Sequence, residues 1–511
     1  MGGEWYMKCL VTDYFEETVD KYFDKIAFVD NNREITFGSL KKDALKIATT
    51  LVNENCFKKP VMVYMDKSID CVVSFLGIAY SGCFYSPNDT SMPESRIRKI
   101  VDTLQPAVII THKKETESVK AWTSNIKVIA YEEVMADVRE DENTVKNITE
   151  KIVDTDILYA FFTSGSTGMP KGVLVNQRNV VDYINWVIGN YGIDDKTVIA
   201  NETPFYFDLS VQDIYSSVFA GAKTVIIRKK MFSAPVRVWK ILEKYGVNTF
   251  FWVPSMMCLF ANMDILAHVK KLSFKTIFFC GEVMPVKQLN YWRKYYPNTR
   301  LVNLYGPTEC TVAGTYFDVN RDFADDDILP IGKPCKNVDA MVISENGELI
   351  TEPGREGELC IRGTTVGAGY FRNPEKTAQA FVQNPAHSDY PEIVYRTGDL
   401  VTYNEYHELM YVGRMDFQIK RHGYRIELGE IEAAASSIPE IEYNCCIFDQ
   451  KTQDLIFIYM GNITPDRVQE VLTSKLQSYM VPTVYYQRES MLFNLNGKID
   501  RKALAKEYSI D

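Results

Sequence analysis

Short apolar runs alternate with amphipathic stretches through the middle of the chain. Lys223–Arg228, Thr249–Pro254, Thr276–Gly281 and Leu301–Gly306 are brief and rich in β-branched or aromatic residues. That is the pattern of strands buried on both faces. Between them, Ala234–Gly246 and Val286–Pro297 are predicted helices. In the first, Val236, Trp239 and Leu242 recur at near-helical spacing and Gly246 supplies a stop. Strand–helix–strand alternation implies a parallel sheet with right-handed crossovers, covered on both faces.

The pattern then changes. From about Ile328 to Val412 the text is strand-rich with frequent glycines, as in Gly357-Glu-Leu-Cys-Ile-Arg-Gly363, which predicts a smaller β unit. From about Gly413 an α+β tail is expected, with a helix over Glu427–Ile438, a strand over Leu455–Met460 and a helix over Pro465–Gln477. Thr464 is placed as N-cap and Pro465 as the first helical residue of that last helix. The fold class is therefore multidomain, α/β and α+β. A large domain over residues 1–412 carries parallel α/β sheets and a small β-barrel-like unit, and a small α+β domain spans 413–511.

Composition narrows the function classes. Lys+Arg 57 against Asp+Glu 67 leaves a net charge of -10, which argues against non-specific nucleic-acid binding but not against a nucleotide in a cleft. The longest apolar stretch, Val72–Pro87, is interrupted by Ser, Gly and Tyr and is shorter than the about 20 residues a bilayer requires. Met1–Leu10 carries Glu4 and has no signal-peptide core. The 11 cysteines include no C-x-x-C pair, which fits a reduced, cytoplasmic chain that uses them as small core hydrophobes. With only 5 histidines, none at ligand spacing, no zinc site is expected.

The densest chemical signal is Phe162-Thr-Ser-Gly-Ser-Thr-Gly-Met-Pro-Lys-Gly172. Glycines let backbone N–H groups approach phosphate oxygens, hydroxyls donate, and Lys171 adds charge. It is not a Walker A loop, because Pro170 stands where the second glycine would be. The competing reading is a flexible surface loop. Asn303-Leu-Tyr-Gly-Pro-Thr-Glu309 follows a predicted strand. There Tyr305 could stack on a planar ring, Thr308 could donate to phosphate and Glu309 could hold Mg²⁺, against the plain alternative of a strand-ending turn. Phe205-Tyr-Phe-Asp208 sets an acid among aromatics, which is costly unless it meets a cation. Phe278-Phe-Cys280-Gly-Glu282 closes another strand, and sheets of this class bind ligands at the carboxyl ends of their strands. Tyr395-Arg-Thr-Gly-Asp399 offers a carboxylate for a ribose diol, Gly413–Arg425 is a dense polar run, and Asn496-Gly-Lys498 puts a lysine in a turn.

Taken together and in this order, these segments resemble the adenylate-forming superfamily over essentially the whole chain. Segments 207–215, 278–285 and 413–425 look like its D-alanine–carrier protein ligase branch, although Gln212 stands where that branch has Met, and Leu304 and Leu495 also depart. The resemblance implies two half-reactions. ATP and an amino acid give aminoacyl-AMP and pyrophosphate, and the thiol of a phosphopantetheine arm then displaces AMP.

The implied roles follow residue by residue. Thr163, Ser164, Gly165, Ser166, Thr167, Gly168 and Lys171 would grip phosphates. Asn303, Tyr305, Gly306, Thr308, Asp399 and Arg414 would complete the ATP/AMP site, with Glu309 on Mg²⁺. Lys498 would bridge the substrate carboxylate and the α-phosphate, and Lys498, Thr163 and Glu309 would be the catalytic set. Asp208 would pair with the substrate ammonium. Leu209, Gln212, Trp252, Phe278, Cys280, Leu304, Val312 and Ala313 would line the rest of a small pocket. Asp416 would be the hinge of a mobile tail, and Gly423 would line the pantetheine tunnel. The expected partners are a small amino acid and a separate carrier protein docking on a local basic patch. The expected state is a cytoplasmic monomer with no nucleic acid and no membrane insertion, loading D-alanine for teichoic acids. Rival readings are an acyl-CoA ligase, a peptide-synthetase adenylation enzyme and a non-catalytic homologue.

Overall fold

The computed structural model describes residues 8–31, 33–123, 125–165, 169–493 and 499–508. They fall into two compact units. One comprises Met1–Thr90, Leu104–Phe161 and Gly172–Gly413, and the other Ser91–Thr103, Phe162–Lys171 and Arg414–Asp511.

The first unit contains a nine-stranded sheet. Its inner strands run in the order Arg300–Tyr305, Thr276–Cys280, Thr249–Trp252, Val198–Asn201, Lys223–Ile226 and Ile26–Asp30, every pair parallel. Antiparallel strands close both edges. Each of the four strands expected from the sequence is present, shorter by one or two residues at its C-terminal end, and the last begins one residue earlier, at Arg300. Thr249–Trp252 stops early because Pro254 opens a helix, Pro254–Asn262, where a missing N–H costs nothing. The helix Pro235–Tyr245 buries Val238, Trp239 and Leu242 and ends on Gly246 at φ 66°, a left-handed cap. Val236, expected on its apolar face, is exposed instead. The other crossover helix is Val286–Tyr295.

A second, seven-stranded sheet takes six strands from residues 60–176 and its edge strand from Gly369–Tyr370, and the sequence pattern named none of these strands individually. The apolar stretch Val72–Pro87 belongs to it. Its first part lies in the helix Ile69–Tyr80, buried at every position, and its last in the strand Phe84–Asn88. A helix that is apolar all round is a core helix. The strand-rich region forms a six-stranded antiparallel sheet, Val338–Ile343, Gly357–Gly363 and Ile393–Tyr403 at its centre.

The second unit contains the hairpin Gln418–Arg421/Tyr424–Glu427 and a three-stranded sheet. Its helices include Leu428–Ser436 and Pro465–Lys475. Thr464 does occupy the N-cap, but its side chain makes no capping bond. All eleven cysteines are free and most are buried. Among the described residues no helix is long and apolar enough to cross a membrane.

Candidate active site

Three adjacent parallel strands set one face of the expected amino-acid pocket. Side chains alternate along a strand, so Phe251, Phe278, Cys280 and Leu304 join one core cluster, together with Leu209, Val312 and Ala313. Phe251 lies opposite Phe278, and their rings are 6.1 Å apart. Trp252 corrects the expectation. It sits one residue on, in the cluster on the other side, stacked on Phe250, with its indole N–H 3.3 Å from the Ala200 carbonyl. Phe251 is the aromatic of this strand that joins Phe278, Cys280 and Leu304. The sequence shows two neighbouring aromatics and cannot say which faces which way.

Asp208 is buried at the N-cap of the helix Leu209–Ala220. Burial, and then the Asp208 charge, holds the Tyr159 phenol well above its ordinary range. The Tyr159 hydroxyl has no hydrogen-bond partner among the described residues. Gln212 accepts from the Tyr183 hydroxyl at 2.6 Å, inside the core. Neither tyrosine carries a motif, so sequence reasoning missed both.

The nucleotide candidates of the first unit are held by partners of their own. The Tyr305 hydroxyl donates to Asp399, and both residues are buried. The two expected nucleotide ligands, far apart in sequence, therefore meet. The Asp399 N–H is fixed on Thr397 Oγ1 at 3.0 Å. Glu309 is fully buried and accepts from the Tyr370 hydroxyl at 2.7 Å. Asn303, expected to face the nucleotide, donates its amide to the Pro330 carbonyl at 2.8 Å. Gly306 is required by close approach, because a Cβ there would lie 2.5 Å from the Ala313 Cα. The turn that follows is strained. Thr311 and Val312 have φ 51° and 74°, unusual for β-branched residues, and the Thr311 hydroxyl is tied to the Thr365 carbonyl at 2.7 Å. Thr308 opens the short helical turn that carries Glu309.

The phosphate-loop candidates lie in the second unit. Thr163 Oγ1 is buried without a hydrogen-bond partner among the described residues. Ser164 donates to the Arg425 carbonyl at 2.9 Å, Glu430 accepts from the Gly165 N–H, and Lys171 Nζ is 3.9 Å from Glu427 Oε1. Glu430 also makes a buried ion pair with Arg96 at 2.8 Å. Burial raises the Glu430 carboxyl, and Arg96 and Lys99 oppose the shift. Arg414 forms a two-pronged pair with Asp416, at 2.6 and 2.7 Å. Burial pushes Asp416 up, but Arg414, the Gln418 N–H and Arg425 together outweigh it and leave the carboxyl below its ordinary value. His422 and Gly423, at φ 51° and 78°, form the two-residue turn of the hairpin. Ser166, Thr167, Gly168, Leu495 and Lys498 lie outside the described residues.

A groove of about 1030 Å³ elsewhere in the first unit, lined by Leu10, Tyr80, Val145 and Lys41 among others, contains none of these residues.

The first unit thus holds a buried acid, an apolar strand face and a tyrosine–carboxylate pair, and the second unit holds the hydroxyl–glycine segment. The family model described as AMP-binding enzyme matches residues 15–371. The chain belongs to this family of adenylate-forming enzymes. As an AMP-binding enzyme it is 32% identical to the D-alanine–D-alanyl carrier protein ligase of Bacillus licheniformis, over 97% of this chain and 99% of that one. It is 33% identical to a mycosubtilin synthase polypeptide of Bacillus subtilis over 98% of its own length, but spans only 19% of that relative. Among solved structures, the Vibrio cholerae adenylation domain AlmE in complex with glycyl-adenosine-5'-phosphate superposes with a TM-score of 0.83, 21% identity and coverage of 100% and 99%. At that identity the likeness concerns the fold.

Proposed function

We propose that this AMP-binding enzyme activates D-alanine as its aminoacyl-AMP and transfers it to the phosphopantetheine thiol of a separate carrier protein. One observation carries the reading: a buried carboxylate, Asp208, belongs to the same unit as the closely packed neutral wall of Phe251, Phe278, Cys280 and Leu304. An acid so placed calls for a cation, and a substrate α-ammonium is one. Large wall residues leave room for a small side chain. The Bacillus licheniformis relative, named for D-alanine, agrees.

In the first half-reaction a carboxylate oxygen of the amino acid attacks the α-phosphorus of ATP, and pyrophosphate leaves. In the second the carrier's thiolate attacks the acyl carbon, and AMP leaves. No protein nucleophile is required, so the chain's work is positioning and charge stabilisation. Tyr305 would stack on adenine and Asp399 would take the ribose hydroxyls, with Arg414 assisting. Thr163 to Lys171 would hold the β- and γ-phosphates. The buried Thr163 hydroxyl, without a hydrogen-bond partner among the described residues, suits such a role. Lys498 would neutralise charge at the α-phosphate.

Glu309 fits Mg²⁺, since a wholly buried carboxylate is best offset by a cation. The ion would neutralise phosphate charge. The product would feed D-alanylation of teichoic acids from the cytoplasm.

A second reading, an adenylation enzyme for another amino acid in a peptide-synthetase pathway, draws on Gln212. Its amide, fixed on Tyr183, makes the pocket floor more polar than a methionine would. ATP–pyrophosphate exchange across D- and L-amino acids and simple fatty acids decides. D-alanine should exchange fastest. A different amino acid in first place selects the second reading, and exchange with fatty acids alone overturns both.

A further inference from the structure

Three main-chain carbonyls converge on one buried ammonium. Lys67 follows the strand Pro60–Tyr64, and its Nζ donates to the carbonyls of Asn201 at 3.1 Å, Glu202 at 2.8 Å and Ile227 at 2.9 Å. Asn201 ends one inner strand of the nine-stranded sheet, and Ile227 follows its neighbour, Lys223–Ile226. All three donor hydrogens are thereby used. The ammonium also lies 5.5 Å from the centroid of the Phe205 ring. Asp213, on the helix that Asp208 caps, accepts from the Asn201 amide at 2.8 Å. The cluster therefore pins the chain on both sides of Asp208.

This hub is costly. Burial brings the Lys67 ammonium down to about 7, against the opposing charges of Glu202, Asp213, Asp30 and Asp89. Glu202 Oε2, Asn201 Oδ1 and Thr203 Oγ1 have no hydrogen-bond partner among the described residues. An apolar residue of similar volume would avoid the desolvation. What the ammonium supplies instead is direction: fixed donors against the carboxyl ends of two strands and the segment leading to Asp208.

We propose that Lys67 is a positioning residue for the amino-acid subsite, holding the Asn201–Phe205 backbone so that Asp208 meets the substrate ammonium. The proposal rests on the role given to Asp208 above. Lys67→Met keeps an unbranched side chain only one atom shorter and removes its donors. In pyrophosphate exchange with D-alanine its KM for the amino acid should rise about 10–100-fold, with the KM for ATP unchanged. Lys67→Gln, which keeps two donor hydrogens, should fall between. Phe205→Leu leaves the hydrogen bonds and removes the ring, and should raise the same KM about 2–5-fold.

Asp208→Asn is measured alongside. If it leaves the amino-acid KM unchanged, the role of Asp208 fails and the proposal with it. If Asp208→Asn raises that KM while Lys67→Met changes both KM values alike, or neither, the Asp208 reading stands and Lys67 serves the fold only, which overturns the proposal. Should Lys67→Met not fold, Phe205→Leu decides, and an unchanged amino-acid KM overturns it.

Discussion

Burial and charge oppose one another most directly at single carboxylates. Asp208 is buried in the unit that also holds the apolar wall of the expected pocket. Removing its charge would leave a bound ammonium desolvated and unpaired, at about 3–5 kcal/mol. Asp208→Ala should therefore lose amino-acid-dependent exchange while still binding ATP, which calorimetry with a non-hydrolysable analogue can check. Asp213 shows the opposite balance. Burial carries its carboxyl from 3.8 up to about 8, although the Asn201 amide and Lys67 pull it down. Between those values the unfolded chain gives up a proton that the folded chain keeps. Stability is thus lost as pH rises across that window and is level above it. Asp213→Asn lacks this dependence. Its gain over the wild type in urea midpoint should be larger at about pH 8.5 than at about pH 5, and an equal gain at both would mean that Asp213 is ionised in the fold.

Among elements, the hairpin around Gly423 carries two demands at once. The family resemblance implies that a pantetheine arm passes here and would need space. The structure adds a backbone demand, φ 78° in a two-residue turn, which glycine meets without strain. Asparagine tolerates the left-handed conformation and still adds bulk. Gly423→Asn should then keep adenylate formation and impair carrier loading, whereas Gly423→Val should also destabilise the hairpin. Equal, near-normal loading by wild type and Gly423→Asn would remove the tunnel from the account. Strand alternation is the other element-scale lesson. The pairing of Phe251 with Phe278 and of Trp252 with Phe279 decides which aromatic shares the Phe278 side of the sheet, and a single-residue slip would exchange them.

At the scale of the whole molecule, the issue is how one chain serves two half-reactions. Asp416 is held by both prongs of Arg414 and by the Gln418 N–H at 3.1 Å. If it is the pivot of the tail, its φ must change between states, which proline forbids. Asp416→Pro should retain one half-reaction and lose the other, measured as pyrophosphate exchange against transfer from a supplied aminoacyl-AMP. Loss of both in folded protein would argue against a pivot at this residue.

Local rules determined much of this by themselves. The parallel strands of the larger sheet, the helices between them and the glycine stop at Gly246 follow from hydrophobic period and backbone sterics, which act over a few residues. The hydroxyl–glycine loop and the Tyr305 and Asp399 motifs were visible because their residue types are unusual in their settings. The strands of the seven-stranded sheet were not separately legible, because in Val72–Pro87 an all-round apolar helix runs into a buried strand with no change of period to mark the boundary. Tertiary structure alone placed Phe251 rather than Trp252 on the side of Phe278 and Cys280, brought Tyr305 to Asp399, gave Glu309 its Tyr370 and gathered three carbonyls around Lys67. Each depends on strand pairing or on contacts between residues distant in sequence, and no local pattern of hydrophobicity or propensity records which distant segment will supply the partner.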